Sequence, residues 1–146
     1  MNRFQEVRQK MSSAEFDAIL ITSQVNRLYV SGFASSAGAM LLTEKEAYFF
    51  TDFRYIEAAK AKISGAQVNL ATVENSYGKQ INEILKEHGI SNVGFENEAL
   101  TYSEYQNWNE KLEAFISSFD LSSVISICLT STLCFAYFYC FDNTNF

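Results

Sequence analysis

The chain has 146 residues, with 17 acidic and 11 basic side chains and a formal net charge of −6. This length fits one domain, and a composition of 48% apolar and 19% charged residues excludes an intrinsically disordered chain. Because the charge balance is acidic and contains no basic run, we expect neither nucleic acid nor an anionic membrane surface as a partner. The first residues, Met1 to Glu6, lack the apolar segment of a signal peptide, which predicts a cytoplasmic location.

The first part of the chain alternates helical and strand patterns. Phe4, Val7, Met11 and Ala14 recur at intervals of three and four residues, which predicts an amphipathic helix. The elements predicted next are a buried strand over 17–22, a helical turn over 24–29 that ends near Gly32, strands over 39–43 and 47–51, and a helix over 53–63 with Asp52 as its N-cap. Because three residues separate the two later strands, they are expected to form a hairpin.

The pattern continues beyond residue 63. The predicted elements are a strand over 67–73, a helix over 79–88 that stops at Gly89, and a strand over 92–95. Thr101 and Glu104 form a capping-box pair, which predicts a final helix with Tyr105, Trp108, Leu112 and Phe115 along one stripe. A hairpin among helix-connected strands predicts an α/β fold: a mixed sheet with helices on both faces.

The end of the chain has a different character. Residues 121–141 contain no charged side chain, and fifteen of these 21 residues are apolar. Three interpretations remain open: a buried strand and connection that complete the sheet, a membrane tail, or an end that arises from a truncated or frameshifted reading frame. The expected organisation is therefore a domain over 1–120 and an apolar tail of open status over 121–146.

No motif in the chain predicts catalysis. The segment from Gly32 to Gly38 matches neither a phosphate-binding loop nor the G-x-S-x-G nucleophile motif, so Ser35 and Ser36 are interpreted as turn serines. His88 is interpreted as a helix C-terminal residue beside the negative end of the helix dipole. The three cysteines, Cys128, Cys134 and Cys140, are spaced by six residues and match no zinc pattern. We therefore predict no catalytic and no metal-binding residue in this chain.

Charged residues at strand ends are the remaining candidates. Glu96 and Glu98 follow a strand and are interpreted as a solvated strand end. Arg54 and Tyr55 follow another strand, at the edge of the sheet where α/β folds place functional groups. An arginine there is expected to pair with Asp17, with Asp52 or with a partner's carboxylate.

Several short segments together resemble one family. In chain order they are Met11, Asp17-Ala-Ile-Leu-Ile-Thr22, Asn26-Arg-Leu-Tyr-Val-Ser-Gly-Phe33, Ser36-Ala-Gly38, Leu41-Leu-Thr43, Thr51-Asp-Phe-Arg-Tyr55 and Glu57. In order and spacing they resemble the amino-terminal domain of the creatinase/prolidase/aminopeptidase P family, above all bacterial Xaa-Pro dipeptidases. The resemblance covers residues 1 to about 116; after Ala114 and Phe115 the tail departs from the family's bridging strand and linker helix.

This resemblance implies a roughly six-stranded mixed sheet and a non-catalytic role. In the family, a separate catalytic domain supplies two aspartates, one histidine and two glutamates to two divalent metals (manganese, cobalt or zinc), which hydrolyse Xaa-Pro bonds. None of these ligands maps onto this chain, so no activity is expected from it alone.

The resemblance also implies a partner. The amino-terminal domain is expected to form a homodimer, or to pair with a full-length relative, and residues 33–38 are expected to wall the partner subunit's substrate pocket. The residues expected at this contact are Phe33, Ser35, Ser36, Arg54 and Tyr55. The alternatives are a stand-alone interaction module, or pseudo-enzyme remnant, and a tail-anchored membrane protein.

Overall fold

A computed structural model of the chain describes residues 2–96 and 99–119, the last five of them by their backbone. The helices are α1 (Arg3–Ser13), α2 (Gln24–Ser31), α3 (Ile56–Lys62), α4 (Tyr77–Glu87) and α5 (Tyr102–Lys111). The strands are β1 (Ala18–Ile21), β2 (Ala39–Thr43), β3 (Ala47–Thr51), β4 (Gln67–Leu70), β5 (Asn92–Glu96) and β6 (Phe115–Phe119). Glu98, the three cysteines and the tail over 121–146 lie outside the described residues.

The strands form one mixed sheet with the order β4-β3-β2-β1-β5-β6. β2 is antiparallel to both of its neighbours, whereas the pairs β1–β5, β3–β4 and β5–β6 are parallel. Five strands therefore run in one direction and β2 runs in the other. This confirms the predicted mixed sheet, and the hairpin lies where two apolar runs flank three polar residues.

Helices cover both faces of the sheet, as predicted. α1, α2 and α3 pack on one face, against alternate side chains of β1, β2 and β3 that include Ile19, Met40 and Phe49. α4 and α5 pack on the other face, against the intervening side chains Leu20 and Leu41 and their neighbours. Because the three central strands are buried on both faces, they consist almost entirely of apolar residues.

Three predicted boundaries are wrong, each for a local reason. The third helix begins at Ile56 rather than at 53, because the Asp52 carboxylate accepts a hydrogen bond from the Arg54 N–H (3.0 Å) and folds 53–55 into a turn. β4 ends at Leu70 rather than at 73, because Thr72 and Asn75 hydrogen-bond to each other in a turn. Phe115 does not extend the stripe of α5 but opens β6, which pairs in parallel with β5.

Two predicted caps are confirmed, whereas Asp52 is not the N-cap of α3, because Tyr55 occupies that position and makes no side-chain capping bond. Gly32 ends α2 with a left-handed φ of 71°, and Thr101 and Glu104 form the predicted capping box at the start of α5. Among the residues with assigned structure, no helix combines the length and the apolar character that a membrane crossing requires.

Candidate functional site

The candidate site lies at the edge of the sheet where the five parallel-running strands end. Because β2 runs in the opposite direction, it begins at this edge, and the segment that leads into it lies here too. We call residues 33–38 the edge loop. The topology therefore brings the edge loop to the same side of the sheet as Asp52, Arg54 and Tyr55, which follow β3.

Phe33 and Ser35 are buried within the chain's own fold. The Phe33 ring is 7% exposed and packs edge-on against Phe49 (centroids 5.9 Å apart) and Tyr55 (6.4 Å). Ser35 is also buried, and its hydroxyl oxygen has no hydrogen-bond partner among the described residues. The Phe33 ring, which the resemblance places at a contact with a partner, therefore anchors the edge loop to the core of its own chain.

Ser36 and Tyr55 join the edge loop to the turn after β3. Their side-chain oxygens lie 2.8 Å apart. The hydrogen bond from Ser36 lowers the pKa of the Tyr55 phenol, since it stabilises the phenolate. The two predicted site residues are thus in direct contact, although 19 residues separate them in the chain.

Arg54 pairs with Asp52, one of the three partners that the sequence suggested. Arg54 Nη2 lies 2.6 Å from Asp52 Oδ2, and Nε donates to both carboxylate oxygens. This hydrogen-bonded pair lowers the pKa of Asp52 and raises that of Arg54. Asp17 lies at the other end of β1, where its carboxylate accepts from the Asn92 N–H.

Arg27 is a buried cation that the sequence analysis did not single out. It is 3% exposed, and its guanidinium donates to the carbonyl oxygens of Thr22, Ser35 (2.8 Å) and Gly38 (2.8 Å). Burial lowers the pKa of Arg27, and the opposite charge of Glu96 partly offsets this effect. Arg27 therefore ties α2 to the middle and to the carboxyl end of the edge loop.

The interpretation of Glu96 as a solvated strand end is wrong, because Glu96 is only 2% exposed. Its Oε2 accepts the backbone N–H groups of Thr22 (2.7 Å) and Ser23 (2.9 Å), and its Oε1 accepts from the Asn26 side chain. These donors form the amino-terminal end of α2, where a carboxylate is favoured by unpaired N–H groups and by the helix dipole. The sequence feature that points to this buried role is a charged residue at the end of a strand that contains Val93 and Phe95.

His88 lies away from the edge loop, against the β2–β3 hairpin. It is the C-cap of α4, as the sequence indicated, and its Nε2 lies 3.1 Å from the Tyr48 hydroxyl and 3.3 Å from Glu46 Oε2. A groove of about 510 Å³ opens beside it and is lined mainly by carboxylate and amide side chains. The single histidine therefore belongs to a polar cluster that is separate from the candidate site.

The described residues contain no group of three or more histidine, cysteine, aspartate or glutamate side chains that could hold a metal ion. At the carboxyl edge, Asp52 is engaged by Arg54, and Glu96 is saturated by N–H donors. The described side chains at this edge therefore do not fit a two-metal centre; the resemblance assigns that centre to a separate catalytic domain, and this assignment stays a prediction. The geometry of this edge suits the presentation of a rigid loop.

Comparison with known proteins gives one consistent result. The chain matches the family model described as the creatinase/prolidase N-terminal domain over residues 3–128. This match extends beyond residue 116, where the sequence analysis ended the resemblance, and it includes the strand at 115–119. The expected departure after Phe115 is therefore wrong for β6.

The sequence and structural relatives are peptidases or domains of peptidases. The uncharacterized peptidase YqhT of Bacillus subtilis is 32% identical over 109 residues, which are 73% of this chain and 30% of YqhT. The Xaa-Pro dipeptidase from Bacillus anthracis is 31% identical with a TM-score of 0.74, over 81% of this chain and 33% of that chain. The N-terminal domain of the cytoplasmic peptidase PepQ from Mycobacterium tuberculosis (24% identity, TM-score 0.72) shares the fold over 81% of this chain and 92% of that domain. The chain thus spans about a third of these longer relatives.

Proposed function

This chain belongs to the creatinase/prolidase N-terminal domain family, and from that membership we propose that it acts as the non-catalytic domain of an Xaa-Pro peptidase. In this role it forms a dimer, or pairs with a full-length relative, and its edge loop shapes the partner subunit's substrate pocket. The proposal includes a cytoplasmic location, which the cytoplasmic relative PepQ supports.

One observation carries the proposal: among the described residues, the large apolar side chains that are exposed lie at one edge of the sheet. The five large apolar residues that are exposed among the described side chains are Val25, Phe53, Leu70, Val73 and Tyr102. Each stands at or soon after the carboxyl end of β1, β3, β4 or β5. Exposed apolar residues that gather on one side of a domain are typical of a protein–protein contact. This is also the side that carries the edge loop.

Phe53 is the strongest candidate for an anchor of this contact. Its side chain is 80% exposed, and it stands in the turn that the Asp52–Arg54 ion pair holds. An aromatic ring on an ordered turn can enter a partner's pocket at a low entropic cost. Because Phe33 is buried, we propose Phe53 in its place as the anchor of the contact. Ser36, Arg54 and Tyr55 remain part of the proposed contact.

The proposal assigns the chemistry to a separate catalytic domain. Two divalent metals (manganese, cobalt or zinc), held by residues of that domain, would supply Lewis-acid chemistry for the hydrolysis of an Xaa-Pro bond. The residues of this chain would hold and orient the wall of the pocket. We therefore expect that the purified chain with Mn²⁺ does not hydrolyse an Xaa-Pro dipeptide. Turnover that scales with protein after metal removal and repurification would contradict the proposal.

Light scattering tests the proposed contact directly. The wild-type chain and the Lys45→Ser variant, which alters an exposed side chain in the opposite hairpin, are expected to have the mass of a dimer. The Phe53→Ser variant is expected to have the mass of a monomer and the circular dichroism spectrum of the folded wild type, because Phe53 buries little surface within its own chain.

The same measurement separates the two forms of the proposed contact. A wild-type chain that is monomeric alone but gains mass with the full-length Bacillus anthracis dipeptidase would support pairing with a full-length relative and contradict the homodimer. A wild-type chain that stays monomeric at all concentrations and also in that mixture would rule out both forms of the contact.

A further inference from the structure

We infer that Arg27 and Glu96 are positioning residues, two buried opposite charges that act through one peptide group to hold the edge loop in place. The inference concerns the chain on its own; its consequence for a partner's substrate pocket rests on the proposed function. The sequence pattern indicates no role for Arg27 and predicts a solvated strand end at Glu96.

The Arg27 side chain extends from α2 to the edge loop. Its guanidinium contacts a carbonyl before α2, the Thr22 oxygen, and two carbonyls in the edge loop, those of Ser35 and Gly38. A planar guanidinium with several fixed N–H groups can bind three carbonyls at once, whereas an ammonium carries its charge at one point on a flexible stem. Arg27 therefore sets the distance between α2 and the edge loop.

One peptide group links the charges of Arg27 and Glu96. The peptide group between Thr22 and Ser23 directs its N–H to Glu96 Oε2 (2.9 Å) and its carbonyl oxygen to Arg27 Nη1. The dipole of this peptide is thus aligned between a carboxylate and a guanidinium, an arrangement that strengthens both hydrogen bonds. Asn26 adds a second link, because it precedes Arg27 in α2 and donates to Glu96 Oε1.

Arg27 and Glu96 are both deeply buried. Each side chain is at least 97% buried, so bulk water stabilises neither charge. A buried charge that loses its compensation is costly, and the chain can reduce that cost only by opening. The part that opens most readily is the edge loop, since it contains no helix or strand of its own.

The edge loop connects this buried pair to the surface of the domain. The Ser35 carbonyl held by Arg27 immediately precedes Ser36, whose hydroxyl lies 2.8 Å from the Tyr55 phenol. If Arg27 releases the Ser35 carbonyl, the Ser36–Tyr55 contact loses its support. The buried pair therefore determines the conformation of a surface that the proposed function places against a partner.

Hydrogen exchange on the full chain tests this inference without any partner. Arg27→Lys keeps the charge but loses the planar fork. The amides of Thr22 and Ser23, which donate to Glu96, and that of Phe33, which donates to Ser31 Oγ, are then expected to exchange at least about tenfold faster. The reason is that release of the guanidinium frees the peptide group and the edge loop that it holds. The amides of the β2–β3 hairpin are expected to be unchanged. Arg8→Lys is the matched control, since Arg8 Nε also donates to a carbonyl, that of Thr43 (3.0 Å), at the opposite edge of the sheet, where β2 ends.

A second readout separates release of the loop from general loss of stability. In the Arg27→Lys variant, the Tyr55 phenol is expected to titrate nearer to the ordinary tyrosine pKa when followed by NMR of labelled tyrosine, because its contact with Ser36 is lost. If Arg27→Lys does not fold, Glu96→Gln replaces it with the same two expected changes, since it removes the other charge.

Either variant would overturn the inference if it folds and its edge loop exchanges as in the wild type and in Arg8→Lys. If the loop is released while the dimer mass is unchanged, the positioning role stands and the proposed contact through the loop fails. Failure of the dimer in every variant, including the wild type, concerns the proposed function alone.

Discussion

At the scale of single residues, Gly38 shows how closely the edge loop approaches the sheet. Its φ is +145°, a conformation that residues with a side chain rarely adopt, and a Cβ at this position would lie 2.6 Å from the Phe50 carbonyl oxygen. The Gly38 carbonyl also accepts from Arg27. Only glycine fits a position with this dihedral angle and this approach.

We predict that Gly38→Ala destabilises the chain by about 2 kcal/mol or more, since backbone strain and a steric clash add together. Gly32→Ala is the control, because Gly32 also has a positive φ but nothing lies within 4 Å of its Cβ position. It is expected to cost about 1 kcal/mol, from strain alone. Urea unfolding measures both changes, and equal losses would contradict the clash.

Tyr48 gives a prediction on pH. Burial, together with the hydrogen bond to Glu46, raises the pKa of Tyr48 from 10.0 to about 12. Between these values the folded chain keeps a proton that the unfolded chain has lost, so the free energy of unfolding falls as the pH rises. Tyr48→Phe removes this group, and its stability is expected to fall less steeply from pH 10 to pH 12. Parallel curves in thermal unfolding would show that Tyr48 does not contribute.

At the scale of elements, α5 depends on its amino-terminal end. None of its own residues is fully buried, and the Thr101–Glu104 capping box satisfies N–H groups at its start. The N–H of Thr101 lowers the pKa of Glu104, because it binds the carboxylate form. The stability from this carboxylate is therefore present above its ordinary pKa of 4.5 and is lost as the pH falls through the lowered value.

We predict that Thr101→Ala costs about 1 kcal/mol and increases hydrogen exchange in α5. Ser103→Ala is the matched control. It removes a similar hydroxyl from an exposed position in the first turn of the same helix, where no capping bond is made. Its effect is expected within about 0.5 kcal/mol. Equal changes in the two variants would mean that the capping box does not hold α5.

At the scale of the whole molecule, the sheet couples two cores. Ile19 and Ile21 face one core, and Ala18 and Leu20 of the same strand face the other, so neither core can open without β1. Trp108, the only tryptophan, packs against the core on the α4–α5 face. We expect its fluorescence and the far-ultraviolet circular dichroism to report a single transition.

Two leucines test how burial is distributed in this arrangement. Leu85 of α4 is 1% exposed and Leu70 of β4 is 41% exposed. Leu85→Ala is predicted to lower the free energy of unfolding by about 2–5 kcal/mol, since it leaves a cavity, whereas Leu70→Ala is expected to cost less than about 1 kcal/mol. Losses of similar size would contradict the difference in burial between the two leucines. Separate transitions of the two probes would contradict the coupling of the two cores.

The sequence by itself determined the elements from α1 to α5 and most of the faces that they bury, whereas β6 was not predicted. Helix periodicity at Phe4, Val7 and Met11, the apolar runs of β1 to β3, and the caps at Gly32 and Thr101 all depend on interactions within a few residues. The family followed from short segments in a characteristic order. These features are local, so they can be read along the chain.

Tertiary structure alone decided which residues meet at the carboxyl edge. Asn26 and Glu96 are 70 residues apart in the chain, yet β1 and β5 are neighbours in the sheet, so the carboxylate reaches the start of α2. The same strand order buries Phe33 and leaves Phe53 exposed, although both are aromatic residues in loops. Local patterns carry no information on strand order, and burial of charge and of apolar surface depends on that order.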